Sequence, residues 1–182
     1  MIISFTGAQS TGKSTLLNKC KFDGRFNGYD YIPEITRTLK KKYNLTINEK
    51  GDDFTQLVCI NSHLDNYLSH KDRKVVMDRC ILDALVYTTY LHYKGKVSIW
   101  VLDYVANLFM KLKDKYDIIF YTEPDIKLVE DGERSSSEEF RKTIIDLFEE
   151  AIDHYELPVV RLGGTVEERM VTIYKTLDNY GK

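Results

Sequence analysis

Gly7-Ala8-Gln9-Ser10-Thr11-Gly12-Lys13-Ser14 decides how the rest of the chain is read. The stretch satisfies G-x-x-x-x-G-K-[ST] at every fixed position. It follows a short β-prone run, Ile2-Ile3-Ser4-Phe5-Thr6, and opens a helix carrying Leu16, Leu17 and Cys20. Each residue type has a chemical task. Glycines let the backbone curl until its N–H groups converge on phosphate oxygens, aided by the helix N-terminus. Lys13 places a point charge on the outer phosphates, and the Ser14 hydroxyl is a magnesium ligand. A plain glycine turn into a helix would not require lysine and serine in this register. The expected nucleotide-binding set is therefore Gly7, Ala8, Gln9, Ser10, Thr11, Gly12, Lys13, Ser14 and Thr15, with ATP and Mg²⁺ as cofactors.

Outward from the loop, strand-like and helix-like segments alternate. Tyr29–Ile32, Lys74–Asp78, Asp117–Tyr121 and Pro158–Leu162 read as strands two to five. Helices are expected over Glu34–Lys42, Asp52–His70, Asp83–Tyr93 and Ser98–Lys113. In the third segment Phe54, Leu57, Val58, Leu64 and Leu68 form the apolar stripe. A further helix carries Phe140, Ile144, Leu147, Phe148, Ala151 and Tyr155, capped by Ser135 with Glu138 or Ser136 with Glu139. The last carries Val166, Met170, Ile173, Tyr174 and Leu177, capped by Thr165 with Glu168. Such alternation implies an α/β fold, a parallel sheet wrapped on both faces, with ligands beyond the carboxyl ends of the strands.

Composition bounds the remainder. The 182 residues fit one domain spanning 1–182; 43% are apolar and 30% charged, so a packed core is expected. Asp and Glu number 28 against 26 Lys and Arg, which argues against a wholly basic nucleic-acid surface. No apolar run approaches the roughly 18 residues of a membrane span, and Ile2–Phe5 is too short for a secretory leader. Cys20, Cys59 and Cys80 are odd in number and far apart, which points to structural thiols and a cytoplasmic home. His63, His70, His92 and His154 have no metal-ligand spacing and read as surface or half-buried histidines. Lys40-Lys41-Lys42 reads as a solvated helix end.

Candidate partners of the loop come from the other strand ends. Asp78 closes Val75-Val76-Met77, where an acid organises magnesium; the alternative is a strand-end acid pairing with Arg79. Glu34 follows Pro33, where a carboxylate takes a proton from an acceptor hydroxyl, or simply complements a helix dipole. Arg37, one turn on, orients the acceptor or forms an i,i+3 pair with Glu34. Arg134, in the polar segment Glu130–Ser137, is a lid arginine that arrives with substrate. Arg141 is a second nucleotide contact or a surface partner of Glu138. Thr165, in Arg161-Leu162-Gly163-Gly164-Thr165, lies in a loop that grazes adenine or merely turns. Tyr87 or Tyr90 lines an acceptor pocket by stacking, with core packing as the alternative.

Taken together, Phe5–Leu16, Ile32-Pro33-Glu34-Ile35-Thr36-Arg37, Val76-Met77-Asp78-Arg79 with Asp83, Tyr116–Phe120, Val129–Arg134 and Gly164–Arg169 resemble the NadR-like P-loop kinases. The matches run in order through nearly the whole chain, and Pro-Glu-x-x-Arg and Asp-Gly-x-Arg are its more discriminating elements. The resemblance implies a P-loop NTPase fold, a five-stranded parallel sheet of order 2-3-1-4-5, an NMP-kinase-like core and a lid over about 129–141. It implies transfer of the ATP γ-phosphate to a hydroxyl of a nucleoside-like acceptor such as nicotinamide riboside. In that reading Lys13, Glu34, Asp78 and Arg134 are catalytic, Ser14 and Asp78 hold the metal, and Glu34, Arg37, Arg79, Asp83 and Tyr87 face the acceptor. The adenylyltransferase and DNA-binding regions of full-length NadR have no counterpart in the sequence.

Acceptor identity does not travel with these motifs. A nucleoside monophosphate, or a DNA or polynucleotide hydroxyl, is the alternative substrate. A nucleotide switch or ATPase is the alternative class. A GTPase would carry Asn-Lys-x-Asp, which is absent, and a ring-forming motor an Asp-Glu pair where Asp78-Arg79 stands.

Overall fold

The computed structural model describes residues 1–126 and 137–180. Its sheet has five parallel strands, β1 (Ile2–Thr6), β2 (Asp30–Ile32), β3 (Val75–Asp78), β4 (Ile118–Thr122) and β5 (Val159–Leu162), in the expected order 2-3-1-4-5. Seven α-helices are present among the described residues: α1 (Lys13–Lys21), α2 (Ile35–Tyr43), α3 (Asp53–His70), α4 (Ile81–Tyr93), α5 (Ile99–Leu112), α6 (Glu138–His154) and α7 (Val166–Asn179).

Strand alternation builds two cores, one per face. Ile3, Phe5, Val76, Ile118, Phe120 and Leu162 pack with Leu16, Cys20, Met170 and Ile173 of α1 and α7. Ile2, Val75, Met77, Ile119 and Tyr121 point the other way, onto α4, α5 and α6. Successive side chains of a strand face opposite ways, so continuous apolar strands are what a sheet covered on both sides demands. A small third cluster, Leu39, Leu45 and Cys59, joins α2 to α3 beyond the sheet edge.

Register places the chemistry. Phe5 pairs with Asp78 and Ile32 with Met77, so β1, β2 and β3 end level. Gly7, Glu34 and Asp78-Arg79 therefore emerge at one edge of the sheet.

Three sequence expectations are corrected. In α3, Phe54 and Leu68 are exposed; the buried line is Thr55, Gln56, Cys59, Ile60 and His63, since this helix turns polar side chains inward toward a cavity. Helix α4 starts at Ile81, because Asp83 turns back to accept the Cys80 N–H at 3.0 Å and fixes the N-terminus there. Helix α6 is capped by Ser137, whose hydroxyl accepts from Phe140 N at 3.1 Å, one residue beyond Ser136 and two beyond Ser135. The Thr165–Glu168 capping box of α7 is present as expected. Of the expected lid, 129–136 lie outside the described residues, and 138–141 form the first turn of α6.

Candidate active site

The loop between β1 and α1 is braced from below. Gly7 has φ 130°, and a Cβ there would come 2.8 Å from Thr122 Oγ1 and 2.9 Å from its carbonyl oxygen, so no larger residue fits. The Thr122 hydroxyl donates to Thr6 O at 2.9 Å and lies 2.6 Å from the Thr11 hydroxyl, which donates to Ala8 O at 2.9 Å. Gly12, at φ 86°, begins α1 without a side-chain cap, and no acid occupies the first turn. Such a terminus suits an anion, because its amides and dipole meet no competing carboxylate.

Two arginines hold the outside of the loop. Arg169 of α7 is 1% exposed. It donates to Thr11 O at 2.6 Å, Gly164 O at 3.0 Å and Glu123 O at 3.4 Å, and pairs with Asp125. Arg141 donates to Gln9 O at 3.3 Å and Ile126 O at 2.6 Å, so it braces the loop rather than pairing with Glu138. The Thr165 hydroxyl is used in capping α7. Neither Arg141 nor Thr165 lines the loop's cavity, which is formed by Gln9–Thr15 with Glu34 and Arg79.

Lys13 lies over the loop, its ammonium 2.8 Å from Gly7 O and 2.5 Å from Ala8 O. Burial and the Arg79 charge lower its pKa from 10.5 to about 7, against the pull of Asp78, Asp83 and Glu34. Ser14 Oγ donates to Asp78 Oδ2 at 3.1 Å. Asp78 is therefore not Arg79's partner. Burial pushes the Asp78 carboxyl upward, opposed by Lys13. Its Oδ1 is buried with no hydrogen-bond partner among the described residues. An orphaned carboxylate oxygen beside a serine hydroxyl is a hard-oxygen pair of the kind magnesium takes.

Arg79 is the hub of the second half. Its backbone is left-handed at φ 81°, a sparsely populated conformation for a long side chain, with its N–H held by Phe5 O at 2.8 Å. Nε donates to Glu34 Oε1 at 2.8 Å and Nη1 to Asp83 Oδ1 at 2.6 Å. Asp83 Oδ2 also accepts from Thr6 Oγ1 at 2.7 Å. Arg37 Nε reaches Glu34 Oε2 at 3.1 Å, the expected i,i+3 pair. Burial works against a charge on Glu34, yet Arg79, Lys13 and Arg37 together hold its pKa at about 2.

A second cavity lies beyond this cluster, between α3, α4 and the segment after α2. Glu34, Arg79, Asp83 and Tyr87 line it, together with Thr36, Asn48, Gln56, Cys59 and His63. Tyr87 donates to Gln9 Oε1 at 3.3 Å, while Tyr90 packs edge-on against Phe140 in the core. Glu34 and Arg79 are shared by both cavities. Arg37 lines neither, and Arg134 lies outside the described residues.

Two groups escaped sequence reasoning. His63, taken as a surface or half-buried histidine, is 6% exposed and lines the second cavity; its i+7 spacing from Gln56 was the available signal. Arg169 stood in a quoted stretch but carried no role, because an arginine on an amphipathic helix reads as solvent-facing.

Fold and loop define a P-loop nucleotide-binding domain. A family model described as AAA domain, AAA_28, matches residues 2–169, and the chain belongs to that family. No curated protein matches. Among solved structures, the fold is similar to NadR in complex with NR (TM-score 0.70, 18% identity, 100% of this chain and 51% of that one). The chain thus spans about half the length of that protein. It is also similar to deoxyadenosine kinase from M. mycoides with bound products dCMP and dCDP (TM-score 0.69, 17% identity, 98% of each chain). Thymidylate kinase from Ehrlichia chaffeensis is a third (TM-score 0.64, 17% identity, 97% of this chain and 98% of that one). No helix among the described residues is long and apolar enough to cross a membrane.

Proposed function

We propose that the protein is an ATP- and magnesium-dependent kinase that moves a γ-phosphoryl group onto a hydroxyl of a nucleoside-like acceptor. The observation that carries this reading is the wall shared by the two cavities. Glu34 and Arg79 line both the loop that suits a triphosphate and the pocket beside it. A group bound on each side meets its neighbour at that wall, which supplies the alignment phosphoryl transfer needs. The similar folds of NadR and deoxyadenosine kinase agree with it.

In this mechanism the loop amides and Lys13 bind the β- and γ-phosphates, and Lys13 becomes a full cation as the phosphates approach. Ser14 and Asp78 would hold magnesium, whose charge neutralises the phosphate oxygens when bound. Glu34 accepts a hydrogen bond from the acceptor hydroxyl and orients it in line. A carboxylate with a pKa near 2 is a weak base, so it aligns the hydroxyl first and takes its proton only late, as the bond to phosphorus forms; a loose transition state asks for no earlier transfer. Arg79 fixes Glu34, and Arg134 is proposed as the lid cation.

ATP labelled in the γ-phosphate, offered with nucleosides including nicotinamide riboside, nucleoside monophosphates and DNA, tests the assignment. Label in a nucleoside monophosphate product supports it, and label only in DNA or in inorganic phosphate contradicts it.

A further inference from the structure

One residue lining the acceptor cavity is a buried imidazole with no role in the steps above. His63 is 6% exposed, lines the cavity, and makes no hydrogen bond to any described residue. Its ring nitrogens are not among the fully enclosed polar atoms left without a partner, so they open onto the cavity and are available to a ligand bound there. Burial pushes the imidazole down to about 4; Arg79 acts in the same direction, Asp83 and Glu34 against it. At neutral pH the ring is therefore uncharged, with one N–H donor and one lone-pair acceptor. Beside it on the same helix, Gln56 is fixed by the Thr88 hydroxyl, which donates to its Oε1 at 3.0 Å.

The same pocket is poorly made for a cation. Its carboxylates, Glu34 and Asp83, are both paired with Arg79. Its one benzene ring, Tyr87, already has the Arg79 guanidinium 5.3 Å from the ring centroid, so a cationic heterocycle stacking there would meet a like charge. Resting on the kinase reading above, we infer that His63 is the specificity-determining residue of the acceptor site. It selects a nucleoside with an uncharged heterocyclic base, by hydrogen-bonding the polar edge of that base, over a cationic pyridinium nucleoside.

The test pairs oxidised with reduced nicotinamide riboside, which differ in ring charge at nearly constant shape, alongside adenosine, guanosine, cytidine, uridine and thymidine. ADP release by the full chain is followed for each. The best neutral nucleoside is expected to exceed the oxidised riboside in kcat/KM by at least about tenfold, and the reduced form to exceed the oxidised. His63→Leu is expected to raise KM for the best nucleoside by about 10- to 100-fold, leaving kcat and the KM for ATP near the parent values. His63→Gln, which keeps a donor and an acceptor, is expected to recover most of that loss. If His63→Leu fails to fold, the oxidised–reduced pair and His63→Gln decide. A cation used as well as the neutral nucleosides, or a His63→Leu KM within about twofold of the parent, overturns this inference and leaves the kinase reading standing. ATP turnover stimulated by no acceptor overturns both.

Discussion

Arg79 Nε donates to Glu34 Oε1 at 2.8 Å, and this one contact joins the end of β3 to the start of α2 across the mouth of both cavities. Because Arg79 also holds Asp83 at 2.6 Å, removing the charge at Glu34 leaves the guanidinium paired on one side only. Glu34→Gln is expected to lower kcat by about 10²- to 10⁴-fold while leaving the KM for ATP largely unchanged. A loss under about tenfold in steady-state assays would reduce Glu34 to a structural acid.

The same pair sets an acid limit on stability. The folded-state pKa of Glu34 lies near 2, below its ordinary 4.5, so the folded protein binds fewer protons between these values. Its contribution, roughly 3 kcal/mol, is present above pH 4.5 and is lost as pH falls toward 2. Denaturant melts at stepped pH are expected to show the parent losing stability across that window more steeply than Glu34→Gln.

Lys13 is shifted in the same direction, but there the shift disfavours the charged form. With its folded pKa lowered to about 7, it is largely neutral on the loop carbonyls above that pH. Phosphate binding restores its proton, so ATP binding is expected to take up about half a proton per site near pH 7, rising close to one by about pH 8 to 9. Calorimetry in buffers of different ionisation enthalpy measures this uptake. In the variant Lys13→Ala the proton uptake and phosphoryl transfer are both expected to disappear.

Arg169 gives a prediction about the loop's support. Arg169→Met removes hydrogen bonds to Thr11 O and Gly164 O and strands Asp125. A loss of about 2–4 kcal/mol is expected, below the full cost of breaking a buried pair because Asp125 is partly exposed. Thermal melts should fall by several degrees, and the KM for ATP should rise because the crest of the loop is no longer fixed.

The residues that could be read from sequence are those whose chemistry is local. Gly7–Ser14 announces itself because each fixed position answers to a phosphate, and Glu34, Asp78 and Arg79 follow because strand ends converge in a parallel sheet. The sheet order came from the resemblance, not from periodicity. What resisted reading depends on packing at a distance. Phe54 and Leu68 looked inward because they are apolar, whereas α3 turns Gln56 and His63 toward a cavity that sequence does not display. Arg169 is buried only because α7 brings it against Thr11, 158 residues away. The serine run offered Ser135 and Ser136 as caps through their spacing from Glu138 and Glu139, and only the geometry of α6 selects Ser137.

The most direct test of the shared wall is product stoichiometry, read by phosphorus NMR with ATP, Mg²⁺ and an excess of the preferred nucleoside. The account predicts one nucleoside monophosphate for each ADP, with little inorganic phosphate. Equal amounts of ADP and inorganic phosphate, unchanged by any nucleoside, would contradict it.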